Sequence, residues 1–414
     1  MRRAGSLLLV LAIGASACGA RSGLEAGTDS GGSLAAETPA REGNENSGGR
    51  PPSAGKPPAA GGSSSAGATS KPVIATAITA GTATSCALKS DGTVWCWGSN
   101  NHGQLGDGTT MASSVPVRVV GIDTAVTIAA GGTWNAGGQG ADNSTFNCAV
   151  LRDGSVQCWG EFPGNLGGAV PVVVPGIHAA LSVAGGNWHA CALVLGGSIQ
   201  CWGNDVHGQL GNASLTDGNA PTTVVGINDA VDVAGLGSNF TCALLKAGSV
   251  ECWGELGLAH IGSPLGSTPV PIPIAGPPAT RIAAGYEKAC AVLADGQVQC
   301  WGDGPLAVVP GLGAGVAVAV GKSHACALRS DGTIQCWGEN QFGQLGRRSD
   351  DPATVSQIHD AVAVSAGYNY SCALSKSGAA WCWGVNLTGQ LGDGQDLTVE
   401  HKEPHYEPVR VRGL

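Results

Sequence analysis

Fourteen of the 15 cysteines fall into seven pairs, and the two cysteines of every pair lie ten residues apart. The pairs are Cys86 and Cys96, Cys148 and Cys158, Cys191 and Cys201, Cys242 and Cys252, Cys290 and Cys300, Cys326 and Cys336, and Cys372 and Cys382. A Gly follows the first Cys of each pair by six residues, and Trp-Gly follows the second Cys directly. Because the pattern recurs at intervals of 36 to 62 residues, it indicates a repeat protein whose units carry loop insertions of different lengths.

The central part of each unit has the pattern of a β-hairpin. In the first unit, two alternating runs flank Ser90-Asp91-Gly92, a three-residue loop in which the Gly can adopt a positive φ. Counting outward from this turn places Cys86 opposite Cys96 in a non-hydrogen-bonded pair, where the two Cα atoms are close enough for a disulfide. We therefore predict seven disulfides, one within each hairpin. A zinc site is the weaker alternative, because no His or second Cys pair accompanies each unit at ligand spacing.

Each unit carries two further strand-like runs, for example residues 115–120 and 125–130. Gly makes up 68 of the 414 residues, which is typical of short strands joined by tight turns. Seven four-stranded units predict an all-β fold, a seven-bladed β-propeller over residues 73–414. The run at residues 408–414 has the pattern of the strand that is missing before residues 74–80. We therefore expect the C-terminal strand to complete the N-terminal blade, so that the ring has no open edge.

The units resemble the repeats of the regulator of chromosome condensation family, most clearly at residues 321–346. A Gly-Gln-Leu-Gly segment recurs in four units, beginning at Gly103, Gly208, Gly343 and Gly389. The second, fourth and fifth repeats have lost or altered this segment. The resemblance covers roughly residues 73–414 and implies a seven-bladed propeller, a fold on which function lies in the loops.

The N-terminus has the pattern of an export signal. Residues 1–17 begin with Arg2 and Arg3, continue through an apolar stretch and end in small residues before Cys18, as a secretory signal peptide does. The junction resembles the processing site of bacterial lipoproteins, which implies lipidation at Cys18. The alternative is ordinary cleavage that leaves Cys18 as a spare thiol. The residue after the cysteine is Gly19 rather than Asp, and in lipoproteins that this chain resembles a residue other than Asp goes with sorting to the outer membrane. We therefore expect an exported protein that is lipid-anchored at the cell envelope, at the outer membrane.

Residues 18–72 are rich in Gly, Ser, Ala and Pro and contain no aromatic residue. Such a segment cannot bury enough apolar surface to offset its chain entropy, which predicts a disordered linker between the anchor and the propeller. The whole chain has 21 basic and 30 acidic residues and a net charge of −9. A protein that binds the phosphate backbone needs the opposite sign, so we expect no nucleic-acid partner, and membrane contact through the lipid anchor only.

Two loops of every unit are expected on the same face of the propeller, the one between the first strand and the first Cys and the one after Trp-Gly. Seven aromatic residues lie in the first kind of loop: Trp134, Phe146, Trp188, Phe240, Tyr286, Tyr368 and Tyr370. A ring of aromatic side chains offers large contact area at small entropic cost. We therefore predict that this face is a binding surface. The alternative is that the rings only cap the ends of the blades.

No catalytic, cofactor or metal site is predicted. All paired cysteines are used in disulfides, and His401 and His405 lie in a polar loop without a further obvious ligand. The favoured function is that of a monomeric, surface-tethered, non-catalytic propeller that binds a protein, inhibition of an enzyme being one form of this, or a cell-wall glycan. The first alternative is guanine-nucleotide exchange, the role of eukaryotic proteins that this chain resembles. The second is a propeller hydrolase or lyase, for which no acid/base pair can be named.

Overall fold

Seven four-stranded antiparallel sheets follow one another along the chain. The computed structural model describes residues 72–132, 145–162, 167–255, 266–302, 304–348, 353–398 and 403–414. In every sheet the four strands are consecutive in sequence and pair with their immediate neighbours. The all-β, seven-bladed propeller predicted from the repeats is thus confirmed.

The strands of each blade run from the central axis outward. The innermost strands are β1 (Ala75–Ala80), β5 (Ala125–Gly132), β9 (Ala180–Gly185), β13 (Ala230–Ala234), β17 (Ala279–Ala284), β21 (Gly315–Val320) and β25 (Ala361–Ala366). The second strands are β2 (Thr84–Lys89), β6 (Thr145–Leu151), β10 (His189–Val194), β14 (Phe240–Leu245), β18 (Ala289–Leu293), β22 (His324–Arg329) and β26 (Tyr370–Ser375). The third strands are β3 (Val94–Gly98), β7 (Val156–Gly160), β11 (Ile199–Gly203), β15 (Val250–Gly254), β19 (Val298–Trp301), β23 (Ile334–Gly338) and β27 (Ala380–Gly384). The outer strands are β4 (Ser113–Arg118), β8 (Gly168–Val173), β12 (Gly218–Thr223), β16 (Thr268–Ile274), β20 (Ala307–Val308), β24 (Ala353–Thr354) and β28 (His405–Arg410).

A disulfide joins the second and third strands of every blade. All seven predicted pairs are bonded, with Cα–Cα distances of 4.0–4.1 Å. The register places Cys86 directly opposite Cys96, because the turn between them is fixed by Gly92 at a φ of 86°, a value that favours glycine. The hairpin register and the pairing predicted from the sequence are therefore confirmed.

The expectation for the C-terminal strand is wrong. β28 pairs with β27 of the seventh blade, where Val409 lies opposite Cys382. The first blade has its own outer strand, because β4 pairs with β3 and places Val117 opposite Cys96. Since each blade is complete within one continuous segment, the ring closes through side-chain packing and hydrogen bonds between the seventh and first blades rather than through a shared sheet.

The hydrophobic core lies between neighbouring blades. At the closure of the ring, Ile78 and Trp97 of the first blade form one buried cluster with Tyr370, Leu374 and Leu391 of the seventh. Equivalent clusters occupy the other junctions. Burying apolar side chains between sheets in this way is what holds the ring together.

The predicted signal peptide, the lipidation site at Cys18 and the linker up to residue 71 lie outside the described residues. Among the residues that the structure does describe, no helix is long and apolar enough to cross a membrane.

Candidate binding face

The Gly-Gln-Leu-Gly segment connects each blade that carries it to the next blade. In the first blade, the main-chain oxygen of Gln104 accepts a hydrogen bond of 3.0 Å from Trp159 Nε1 and one of 2.9 Å from Asn147 Nδ2. Both donors belong to the second blade. The Leu105 side chain between the two glycines is fully buried and packs in one cluster with Trp159. The segment therefore joins two blades through a polar bond and an apolar contact at once.

The same arrangement recurs at the three other junctions that have the segment. The Trp-to-Gln pairs are Trp253 Nε1 to Gln209 O (2.9 Å), Trp383 Nε1 to Gln344 O (2.8 Å) and Trp97 Nε1 to Gln390 O (2.9 Å). At each of them the residue before the first Cys of the next blade also donates to the Gln oxygen: Thr241, Ser371 and Ser85. In the blades that follow a lost or altered segment, that position is Ala190, Ala289 or Ala325. A side-chain donor thus stands at this position in each of the four blades that follow a Gly-Gln-Leu-Gly segment.

Three of the predicted binding residues lie inside the blade junctions. Phe146 and Phe240 are 1% exposed and Tyr370 is 0% exposed. The Tyr370 hydroxyl donates to Thr84 O at 2.9 Å and is bonded to Ser85 Oγ of the next blade. These rings therefore do not form part of the solvent-facing surface, and for them the burial supports the capping alternative. The physical reason is their position two residues before the first Cys, from which a side chain points into the junction.

Two histidines occupy the same buried position. His189 Nε2 lies 2.7 Å from Thr241 Oγ1, and His324 Nε2 lies 2.8 Å from Ser371 Oγ. Each pair has the spacing of a nucleophile and its base, but all four side chains are at most 1% exposed. Burial lowers the pKa of both imidazoles to about 3, so they are neutral. We interpret them as polar contacts between blades.

The loops of four blades meet over the axis of the propeller on this face. The Tyr286 hydroxyl, from the fifth blade, lies 2.7 Å from Thr82 Oγ1 of the first. The Tyr286 ring makes an edge-to-face contact with Tyr368 of the seventh blade, with the centroids 4.9 Å apart, a favoured aromatic geometry. Gly237 of the fourth blade leaves room for the ring, because a Cβ there would lie 2.3 Å from Tyr286. Burial raises the pKa of Tyr286 above its usual range, so the hydroxyl stays protonated.

A cavity of about 270 Å³ adjoins this cluster between the sixth, seventh and first blades. Its lining consists of Thr82, Ala83, Lys322, Phe342, Tyr368, Asn369, Val385, Leu387, Thr388 and Gln390. Lys322 Nζ lies 4.9 Å from the Tyr368 ring centroid, a cation–π contact. A hydrogen bond to Tyr368 raises the pKa of Lys322, which therefore carries its charge. Phe342 and Leu387 are 37% and 51% exposed, so one cation and an exposed apolar rim lie together.

The rim of this face differs from one junction to the next. His102 Nδ1 lies 3.1 Å from Glu161 Oε2, and His207 Nδ1 lies 3.4 Å from Glu255 Oε2. Phe342 takes the place of these histidines in the sixth blade, one residue before Gly-Gln-Leu-Gly. The junction that carries the cavity is therefore apolar where two others are polar.

The structure brings Tyr286 and Tyr368 together at the cavity, while Trp188 is half-buried in the loop of the third blade. Trp134 lies outside the described residues. Sequence reasoning missed Lys322, Phe342 and Leu387 because it considered aromatic residues of one loop only. The departure of Phe342 from the histidines of the equivalent blades was a signal that could have identified it.

No group of three or more His, Cys, Asp or Glu side chains that could hold a metal ion occurs in the described part of the chain. His405 Nε2 contacts Gln395 Nε2 at 2.9 Å and lies 3.7 Å from Asp393 Oδ2. His401 is not among the described residues. The Lys322, Phe342 and Leu387 side chains at the cavity are suited to cationic, aromatic and apolar contact with a ligand.

Comparison with known proteins agrees with this architecture. Two family models, both described as the regulator of chromosome condensation (RCC1) repeat, match the chain, one at residues 91–136 and 331–374. The other matches residues 75–104, 181–209, 279–305, 316–344 and 361–390. The RCC1 domain-containing protein RUG3, mitochondrial, of Arabidopsis thaliana is 26% identical over 222 residues, 48% of this chain and 47% of its own length. The match therefore spans about half of that relative.

Among solved structures, human WBSCR16 is similar with a TM-score of 0.64 and 20% identity, over 77% of this chain and 93% of that chain. Yeast RCC1 (Prp20), solved bound to Kap60, gives a TM-score of 0.48 and 20% identity, over 82% of this chain and 75% of its own. At this level of identity the likeness to WBSCR16 shows the shared fold.

Proposed function

Because the chain is a seven-bladed propeller built from RCC1-type repeats, we propose that it is a non-catalytic binding protein that recognises a partner protein through the cavity between the sixth, seventh and first blades. One observation carries the proposal. Phe342 and Leu387 are exposed on the rim of a cavity that also holds the Lys322–Tyr368 contact. Exposed apolar side chains around a concave, partly charged site are characteristic of protein interaction surfaces.

A protein partner fits this surface better than a cell-wall glycan does. Sugar rings stack on exposed aromatic faces, whereas the Tyr368 ring is already in edge-to-face contact with Tyr286 and has Lys322 Nζ over it. The accessible apolar groups are Leu387 and Phe342, of which the first is aliphatic. An apolar side chain of the partner would enter the cavity, and an acidic group beside it would pair with Lys322.

Guanine-nucleotide exchange is not favoured as the function of this chain. The seven disulfides fit an oxidising compartment rather than that of a cytosolic or nuclear GTPase. The second alternative, a hydrolase or lyase, has no support in the candidate site, because its charged member is a lysine bonded to a tyrosine and the buried His–hydroxyl pairs are closed to a substrate.

We also propose that the propeller is tethered to the cell envelope through a lipid on Cys18, with residues 19–72 as the linker. The support is the sequence pattern at residues 1–18. In a Cys18→Ser variant the propeller is expected to leave the membrane fraction. Retention of that variant in the membrane fraction would contradict the anchor without affecting the binding proposal.

The binding proposal can be tested with a matched pair of variants. Leu387 and Val206 occupy the same position of the repeat, two residues before Gly-Gln-Leu-Gly, and are 51% and 58% exposed. Leu387→Asp is expected to abolish capture of a partner from envelope extract, while Val206→Asp retains it. Both variants should melt at the temperature of the parent protein, since neither side chain is buried. Equal capture by the two variants would refute the assignment of the cavity.

A further inference from the structure

The junction between the fifth and sixth blades is more open than the others at one point. Its Trp337 is half-buried, whereas the six equivalent tryptophans are at most 3% exposed. Cys300, the second Cys of the fifth blade, is also half-buried, and the six equivalent cysteines are fully buried. Val309 is half-buried too. Together with Trp301, Pro305 and Pro310, these residues line a cavity of about 240 Å³.

The cause is a short loop. In the first blade, 14 residues separate Gly98 from Ser113, and they include the Gly-Gln-Leu-Gly segment. In the fifth blade, only four residues separate Gly302 from Ala307. The segment that would cover the next tryptophan is therefore missing from the fifth blade.

The cavity corresponds to the place that a leucine fills elsewhere. Leu105 is fully buried in one cluster with Cys96, Val119 and Trp159. The repeat equivalents of these three neighbours are Cys300, Val309 and Trp337, and all three are only partly buried at the edge of their cluster. Leu210, Leu345 and Leu391 fill the same place at the remaining complete junctions. The side chains that surround the leucine are thus present at the fifth junction, and the leucine is not.

We propose that this cavity is a second binding site, which accepts a leucine-bearing turn of a partner protein. The chain itself shows the chemistry of the occupant, because four of its own turns bind in the equivalent places. In each of them the residue before the leucine offers its carbonyl to the next tryptophan, as Gln344 does to Trp383. No hydrogen bond of the Trp337 indole occurs among the described residues. A bound turn would supply both the apolar side chain and the acceptor.

The Trp337 site is separate from the cavity of Phe342 and Leu387 and does not rest on its function. The two cavities share no lining residue. Leu387→Asp is therefore expected to leave binding at the Trp337 site unchanged, so that failure of one proposal can be told from failure of the other.

The test uses the full chain with its tryptophans labelled by ¹⁵N and a cyclised peptide with the sequence of residues 340–346 (Asn-Gln-Phe-Gly-Gln-Leu-Gly). The Trp337 indole signal, assigned from its disappearance in Trp337→Phe, is expected to shift on titration, with a Kd of about 1 mM or tighter for so small a ligand. The same peptide with Ala in place of Leu should bind at least about tenfold more weakly, because it buries less apolar surface. An unshifted Trp337 signal, or equal binding of both peptides, would overturn the proposal.

A loop graft provides the second measurement. Replacing residues 303–304 with the sequence of residues 339–346 is expected to raise the melting temperature and to abolish peptide binding, since the grafted leucine fills the cavity. Retained peptide binding in a folded graft would show that the peptide binds elsewhere and would overturn the assignment. Sedimentation equilibrium tests whether a second copy of this chain, rather than a partner protein, occupies the cavity. If the parent chain is a dimer and the graft is a monomer, the occupant is a second copy of this chain and the proposal of a partner protein is overturned.

Discussion

The Trp97 indole donates a hydrogen bond of 2.9 Å to the main-chain oxygen of Gln390, and this bond joins the first blade to the seventh. It closes the ring with the same contact that joins the first blade to the second. A ring closed by a shared sheet needs the two chain ends in one blade. Here each blade folds from one continuous segment, and the closing junction is chemically equivalent to three internal ones.

Substitution of the last glycine in the closing segment tests this contact. Gly392 has a φ of 70°, and a Cβ there would lie 2.7 Å from Trp97 Nε1. Gly121 has a φ of 74° and open space around the same position. Both Ala variants carry the strain of a positive φ, about 1–2 kcal/mol. Gly392→Ala is expected to lose about 1–3 kcal/mol more in urea unfolding, because it also displaces Trp97. Equal losses would contradict the role of this contact.

The sequence was sufficient to predict the blade but not the relation between blades. The position of Cys86 opposite Cys96 follows by counting from a turn of known geometry, which is a local relationship. β28 pairs with the strand before it in the chain, but its alternating pattern fits the outer edge of any blade and does not say which blade it completes. The burial of Phe146 also depends on the next blade. The sequence signal for this burial was Ala190, the residue before the first Cys of that blade. The corresponding residue beside Tyr370, across the closure of the ring, is Ser85.

The buried histidines predict a loss of stability in mild acid. The pKa of His189 and of His324 is about 3 in the folded protein and about 6.5 in an unfolded chain. The folded state therefore binds fewer protons below pH 6.5, and its free energy of unfolding should fall by about 1.4 kcal/mol per pH unit for each histidine as the pH drops toward 3.

A double substitution isolates this effect. His189→Phe with Thr241→Ala copies the apolar pair of Phe146 and Ala190 and is expected to remove about half of the acid loss of stability that the two buried histidines cause. The measurement is urea unfolding between pH 4 and pH 7. A double variant with the parent's acid dependence would exclude His189 as its source.

Asp205 is expected to destabilise the protein at neutral pH. It is fully buried and accepts a hydrogen bond of 2.9 Å from Leu210 N, where Asn100 serves the first blade in the same way. Burial, and to a smaller extent Asp217, raises the pKa of Asp205 to about 6. Because a raised carboxyl pKa means that the folded state resists ionisation, the cost is absent below about pH 4 and complete above about pH 6.

Asp205→Asn should therefore stabilise the protein above pH 6, by about 1 kcal/mol after allowance for solvent screening, and should have no such effect below pH 4. The converse substitution, Asn100→Asp, is expected to lower the melting temperature at pH 7. A gain from Asp205→Asn that is equal at both pH values would point to a cause other than ionisation.

Truncation of the loop aromatics should show which of them bind a partner and which only cap the ends of the blades, the two roles that the sequence left open. Phe240 is 1% exposed and packs in the junction with Ala289 and Trp301, so Phe240→Ala is expected to cost about 3–5 kcal/mol of unfolding free energy. Trp188 is half-buried, and Trp188→Ala should cost less unfolding free energy.

Tyr368→Ala removes the ring that supports Lys322 at the cavity. It should therefore weaken partner binding by about 1–4 kcal/mol while the blades keep their disulfides and core. Thermal melts and binding measurements on the same three variants decide between the roles. If Tyr368→Ala lost stability as Phe240→Ala does and bound its partner normally once folded, the aromatic residues of this face would serve only as caps of the blades.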